Sequence, residues 1–216
     1  MPSNALQKFE SNLLVDVDRL IDSHVSLNHV GMGRRGLGHI TRSGVMMLCA
    51  AWELYIEELI VESAAHISMH CQTPHQFPLS VRKFLAKATR ESKHELKPLE
   101  LSGEGWKTVY LSHVKLEVKQ LNTPKSTLLD PLFERLLGVA ALSHNWSLGP
   151  DIINNFVQAR GDIAHRGRDT RYVRIDTLRE YREQITRTVR DNDNFMADYL
   201  QGVCPDRRSP WRRRNV

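Results

Sequence analysis

The chain has 216 residues, of which 41% are hydrophobic and 25% charged. This is the composition of an ordinary globular protein and excludes both a disordered polymer and a disulfide-stapled miniprotein. Net charge is +5 with a pI near 9.2. No apolar run approaches a membrane span, and Met1 to Glu10 lacks the basic start and apolar core of a secretory signal, so the expected location is the cytoplasm. Cys49, Cys71 and Cys204 are odd in number and widely separated, which argues against a disulfide framework and for free thiols in a reducing compartment.

Taken in chain order, Leu6, Phe9, Leu13, Leu14, Val17, Leu20 and Ile21 recur at three- and four-residue steps, predicting a first helix over 4–26. The basic, glycine-rich Gly31–Gly38 breaks the pattern. A long second helix is then expected from Thr41 or Ser43 to about Cys71, apolar enough to lie centrally, with Glu53, Glu57, Glu58 and Glu62 on an acidic face. Thr73-Pro74 and Phe77-Pro78 mark a turn, after which Leu79 to Leu96 reads as a third helix ended by Pro98. Trp106 to Leu116 leaves a short strand and an irregular helix both open, because Thr108-Val-Tyr110 favours β structure and its flanks do not. Asn122-Thr-Pro124 and Asp130-Pro131 flank a short helix containing Leu132, Phe133, Leu136 and Leu137. Asp151 is expected to cap a helix through His165 that Gly167 stops. A last helix runs from about Asp176 to Leu200, with Leu178, Tyr181, Ile185, Val189, Met196 and Leu200 on its inner side. Helix, loop and helix without alternating strands predict an all-α bundle. It forms one domain over 1–200, followed by a basic, flexible tail over 201–216.

Charge is unevenly placed. Between Arg166 and Arg190 eight arginines face four acids, and Arg207, Arg208, Arg212, Arg213 and Arg214 follow in the tail. Such clustering suits a polyanion, since each neutralised phosphate releases condensed counterions; a solvated basic face is the alternative.

Stepping about 100° per residue, Ile152, Ile153, Phe156, Val157, Ile163 and Ala164 fall in one arc of about 140° with Arg160 near its middle. A guanidinium in an apolar stripe is costly to desolvate unless it meets a carboxylate, such as Glu53 or Glu57, or a phosphate. His165, five residues on, points about 140° away on a regular helix. A compact Arg–His pair therefore needs either an unwound last turn or two copies of the helix meeting across a two-fold axis. Asp162 precedes His165 by three residues; it either orients the imidazole or pairs with Arg166 at the i, i+4 spacing.

Arg160-Gly-Asp-Ile-Ala-His165, followed by Arg166-Gly167, resembles the R-x4-6-H motif of the HEPN superfamily, in particular its RiboL-PSP-associated branches. The resemblance extends to Ala51-Trp-Glu-Leu-Tyr-Ile-Glu-Glu58, to Leu132-Phe-Glu-Arg-Leu-Leu-Gly138 and to Trp146, covering about residues 40–200. It implies a HEPN-like helical bundle that dimerises through the motif helix and cleaves RNA without metal or other cofactor, the 2′-hydroxyl attacking the adjacent phosphate. It also implies a toxin–antitoxin, defence or stress setting, with an antitoxin protein as a further partner. In that scheme His165 moves a proton, a task suited to an imidazole, and Arg160 holds the phosphate with its planar fork. Asp162 is the third catalytic candidate, and Arg166, Arg168 and Arg171 contact RNA. The chain departs from the family where a polar residue usually follows the motif arginine, because Gly161 stands there. A catalytically silent module binding RNA, a nucleotide or a protein is therefore the rival reading.

Other signals carry less. Gly31-Met-Gly-Arg-Arg-Gly36 satisfies G-x-G-x-x-G but follows a helix rather than a strand. A loop touching RNA backbone through Arg34 and Arg35 fits it better. His66, His70, Cys71 and His75 sit close enough for a zinc site but lack a second ligand cluster, so a polar helix end is the expected reading. His94-Glu95 lacks a zincin's second histidine, and no serine occupies a G-x-S-x-G elbow. Trp211 among the tail arginines offers a stacking surface for a base, with a frayed terminus as its alternative.

Overall fold

The structure, a computed structural model, describes residues 1–28 and 36–214. The chain starts with α1 (Asn4–Lys8), a π-helical turn over Phe9–Leu13 and α2 (Val15–Leu27), which together cover the first expected helix. Ser3 caps it, its Oγ accepting from the Leu6 N–H at 2.9 Å. Across the π turn the buried positions step from Phe9 to Leu14 before Val17 and Ile21. The wider turn absorbs one extra residue and keeps a single apolar stripe. The glycine-rich motif lies, apart from Gly36, outside the described residues, as do Arg34 and Arg35.

The central element is α3 (Gly38–His70), which touches α1, α2, α5, α6, α7 and α8. It opens at Gly38 rather than Thr41 or Ser43 and without a side-chain cap; Thr41 sits inside it, donating from Oγ1 to the Gly38 carbonyl at 3.2 Å. Only part of its acidic face is solvated. Glu62 accepts from the Asn4 and Ala5 backbone N–H groups at 3.0 Å each, an acidic cap for α1, and Glu58 pairs with Lys8.

A 3₁₀ turn (Pro74–Gln76) leads to α4 (Leu79–Arg90), which ends well before Pro98. The next residues turn into a separate 3₁₀ segment, Lys97–Leu101, with exposed Leu96 and Leu99. The ambiguous stretch is helical: α5 (Gly105–Val118) buries Trp106, Val109, Tyr110 and Val114, and the Tyr110 hydroxyl donates to the Leu136 carbonyl at 2.7 Å. Burial of this apolar face outweighs the β preference of Thr108-Val-Tyr110. α6 (Ser126–Leu137) starts earlier than expected and takes Pro131 into its body, ending on Gly138 with φ 83°. Asp130 accepts from both the backbone N–H and Oγ of Ser143, at 2.8 and 2.7 Å, tying the following 3₁₀ turn to α6.

Gly149 and Pro150 begin α7 (Pro150–Arg166), and Asp151 lies in its first turn without a capping bond. α8 (Ile175–Val203) lies against α3 and runs parallel to it, since Gly44 meets Leu178 and the Tyr55 hydroxyl donates to Val189 further along both helices. Every described element is helical or irregular, an all-α bundle, and no described helix is long and apolar enough to cross a membrane.

Beyond α8 the chain returns to the bundle. Trp211 is only 7% exposed, its indole donating to the Asp193 carbonyl at 3.0 Å, which removes it as a stacking surface. The Arg212 N–H donates to Met1 O at 2.9 Å, Asn194 and Arg214 exchange two bonds, and Arg214 pairs with Glu10. His70 and His66 serve the same docking, through Asp206 at 2.6 Å and the Arg208 carbonyl at 3.2 Å.

Candidate functional site

The C-terminal half of α7 carries the site. Ile153, Phe156, Val157 and Ile163 are buried and fix the helix against α3 and α8, whereas Ala164, assigned to the same stripe, is exposed in the last turn. Arg160 is half-buried on the α3 side. Its charge reaches Cys49 and Glu53, opposing the rise in pKa that burial imposes on both groups. Glu53, the anticipated partner, is thus a neighbour, yet Arg160 forms no ion pair or hydrogen bond with any described residue. Cys49 is pushed up to about 11 by burial; it is a packed thiol, not a nucleophile.

His165 is exposed, one residue before the helix ends. The helix stays regular through Arg166 and closes at Gly167, whose φ is 53° and whose N–H donates to the Ile163 carbonyl. The last turn does not unwind, so one chain keeps Arg160 and His165 on different sides of α7. Their Cα atoms are separated by about 7.5 Å along the axis. Asp162 forms no hydrogen bond or ion pair with His165 or Arg166; it accepts from the Gln158 amide at 3.4 Å, a weak bond. A Cβ at Gly161 would meet nothing within 4 Å, so the departure from the family pattern is not forced by packing.

Beside this helix end opens a cleft of about 1150 Å³. Asp162, Arg168 and Arg171, three of the expected site residues, line it; Arg160, His165 and Arg166 do not. Arg166, Arg168 and Arg171 are all exposed. Arg42 at the start of α3 and Tyr172, Arg174 and Tyr181 also line the cleft. Sequence reasoning missed them as site residues, because Arg42 reaches the cleft only through the packing of α3 and Tyr181 reads as one more core position. The Tyr181 ring does meet Phe156 edge-on at 5.2 Å, and burial raises its hydroxyl pKa.

No cluster of three His, Cys, Asp or Glu among the described residues is placed to hold a metal ion. The three cysteines are free and buried.

An all-α bundle with a cationic cleft at the end of a helix bearing Arg160 and His165 is a fold and site suited to a polyanion. The model of the RiboL-PSP-HEPN family matches residues 11–198. The chain therefore belongs to the RiboL-PSP-HEPN family, within the HEPN superfamily. No curated protein and no solved structure matches it. Membership makes a HEPN-type nuclease or an RNA-binding module the broad functional class.

Proposed function

We propose that this protein is a metal-independent endoribonuclease whose active groove is shared by two copies of the chain. The observation that carries this reading is Arg160, a half-buried guanidinium with no ion pair among the described residues, on the same helix end as the exposed His165. Desolvating a charge without a partner is unfavourable, and an anionic phosphate offsets the cost. In the proposed reaction the substrate's 2′-oxygen bonds to the adjacent phosphorus as the bond to the 5′-oxygen breaks. One His165 takes the proton of the 2′-hydroxyl, and the same residue of the second copy returns a proton to the leaving oxygen. Arg160 stabilises charge on the phosphoryl oxygens. The products are a 2′,3′-cyclic phosphate and a 5′-hydroxyl. Asp162 acts as a positioning residue for the imidazole once the groove is assembled.

Two copies are invoked because the regular end of α7 keeps the pair apart in one chain. Met47 and Leu54, 40% and 38% exposed on the side of α3 bordering Glu53, supply an apolar seam for the contact. The proposed setting, a toxin–antitoxin, defence or stress system in the cytoplasm with an antitoxin covering the groove, rests on the resemblance to the family.

The test is cleavage of a panel of RNAs in EDTA by wild type, Arg160→Ala and His165→Ala. Each variant is expected to lose about 10²–10⁴-fold in rate, and wild type to leave cyclic-phosphate ends. Equal residual cleavage by all three proteins refutes the nuclease. Gly161 favours the second reading, a silent module that binds RNA, a nucleotide or a protein partner through the same groove. RNA binding with no cleavage of any substrate is the result that selects its RNA-binding form.

A further inference from the structure

We propose that the cleft between the start of α3, the end of α7 and the start of α8 is a subsite for single-stranded RNA. Its arginines hold the phosphates and its tyrosines an unstacked base. The inference deepens the proposed function, on which it relies only for the path of the strand past Arg160 and His165.

Charge supplies the first argument. Arg42, Arg168, Arg171 and Arg174 line the cleft against two acids, Asp162 and Asp169, and none of the four arginines forms an ion pair among the described residues. Along α8 three of the four arginines do pair, Arg179, Arg182 and Arg190 with Asp176, Asp18 and Glu10, while Arg187 donates to Ser147 Oγ instead. Arginines left without carboxylates around one concavity leave planar donor forks for phosphate oxygens.

Aromatic placement supplies the second. A Cβ on Gly38 would sit 3.2 Å from the Tyr172 ring and 3.1 Å from Arg42 Nη1. The missing side chain therefore lets a ring and a guanidinium meet at one spot on α3, a pairing of aromatic and cation that suits a base and its phosphate. Tyr181 is held from behind by Phe156.

Size supplies the third. At about 1150 Å³ the cleft exceeds the roughly 300–1,000 Å³ of ordinary small-molecule pockets, so it fits a run of nucleotides better than one mononucleotide. Bases paired inside a duplex cannot reach the tyrosines; an open strand presents them.

The test measures anisotropy of a labelled single strand of about 12 nucleotides with the full chain carrying His165→Ala, so that the strand is not consumed. Adding Arg42→Gln with Arg174→Gln should weaken binding about tenfold and lower the slope of log K against log salt by about 1.4, at ~0.7 per phosphate. Arg207→Gln with Arg208→Gln, the same change of charge at the C-terminal segment, should shift affinity less than about twofold. Tyr172→Leu should also weaken the strand, and Tyr172→Phe should retain it. Equal effects of the two arginine pairs, a blunt duplex competing as well as the single strand, or full affinity in the cleft variant, as expected were the cleft built for an acidic protein, would each overturn the proposal. The two readings fail separately. If Arg42→Gln with Arg174→Gln binds normally while His165→Ala abolishes cleavage, the subsite falls and the nuclease stands. If His165→Ala cleaves like wild type while the cleft pair weakens binding, the reverse holds.

Discussion

Asp193 is fully buried on α8, with one carboxylate oxygen taken by Ser3 and the other without a hydrogen-bond partner. Burial raises its pKa from 3.8 to about 6, against the opposing bond from Ser3. A folded-state pKa above the unfolded one means the native protein binds the extra proton. Stability from this group is therefore greatest below 3.8, falls as pH rises through the window up to about 6, and is fully lost at neutrality. A shift of this size is worth up to about 3 kcal/mol. Asp193→Asn keeps an acceptor for Ser3 and should raise stability at pH 7 by about 1–2 kcal/mol while flattening that slope. Urea titrations of both proteins at pH 5 and pH 7 check it; a gap between them that fails to grow with pH contradicts the assignment. Gly161 offers a second measurement at this scale. With open space around it inside α7, Gly161→Ala should stabilise the protein by about 0.5–1 kcal/mol, read as a rise in Tm.

Whether an element could be read from the sequence depended on what defines its ends. The bodies of α2, α7 and α8 follow from the spacing of Val17, Phe156 and Leu178 with their neighbours, since periodic burial is a local signal. The starts of α3 and α7 do not, because neither carries a side-chain cap. The helicity of α5 was invisible for a related reason, as Trp106 and Tyr110 bury against partners distant in sequence. Arg160 and His165 were legible because they share one helix, whereas the cleft was not, because Arg42 joins Tyr172 only after α3 docks. That docking is tight where α3 meets α8: a Cβ on Gly44 would lie 2.4 Å from Leu178 Cδ2. Gly44→Ala should therefore cost about 1–3 kcal/mol by overpacking, seen as a lower urea midpoint with unchanged m. A neutral result would mean that Leu178 has room to rotate away.

For the whole molecule, a groove shared by two copies would make activity depend on protein concentration. Met47→Glu with Leu54→Glu places two like charges in the proposed seam without touching the core. Sedimentation should show a shift to monomer, with cleavage falling at least about tenfold and helicity by circular dichroism unchanged. A variant that stays dimeric moves the seam elsewhere; one that is monomeric and fully active removes the need for a second copy.

The segment from Trp211 to Arg214 lies beside Met1 to Glu10. Arg212 reaches Met1, Arg214 reaches Glu10, and Trp211 covers the Asp193 backbone beside Ser3. During synthesis, at roughly 5–20 residues per second, the segment containing α1 leaves the ribosome long before these partners exist. That corner of the bundle can close only after Arg214 has emerged, so a nascent chain halted within α8 keeps its beginning open to proteases and chaperones, however well α3 to α7 have already packed.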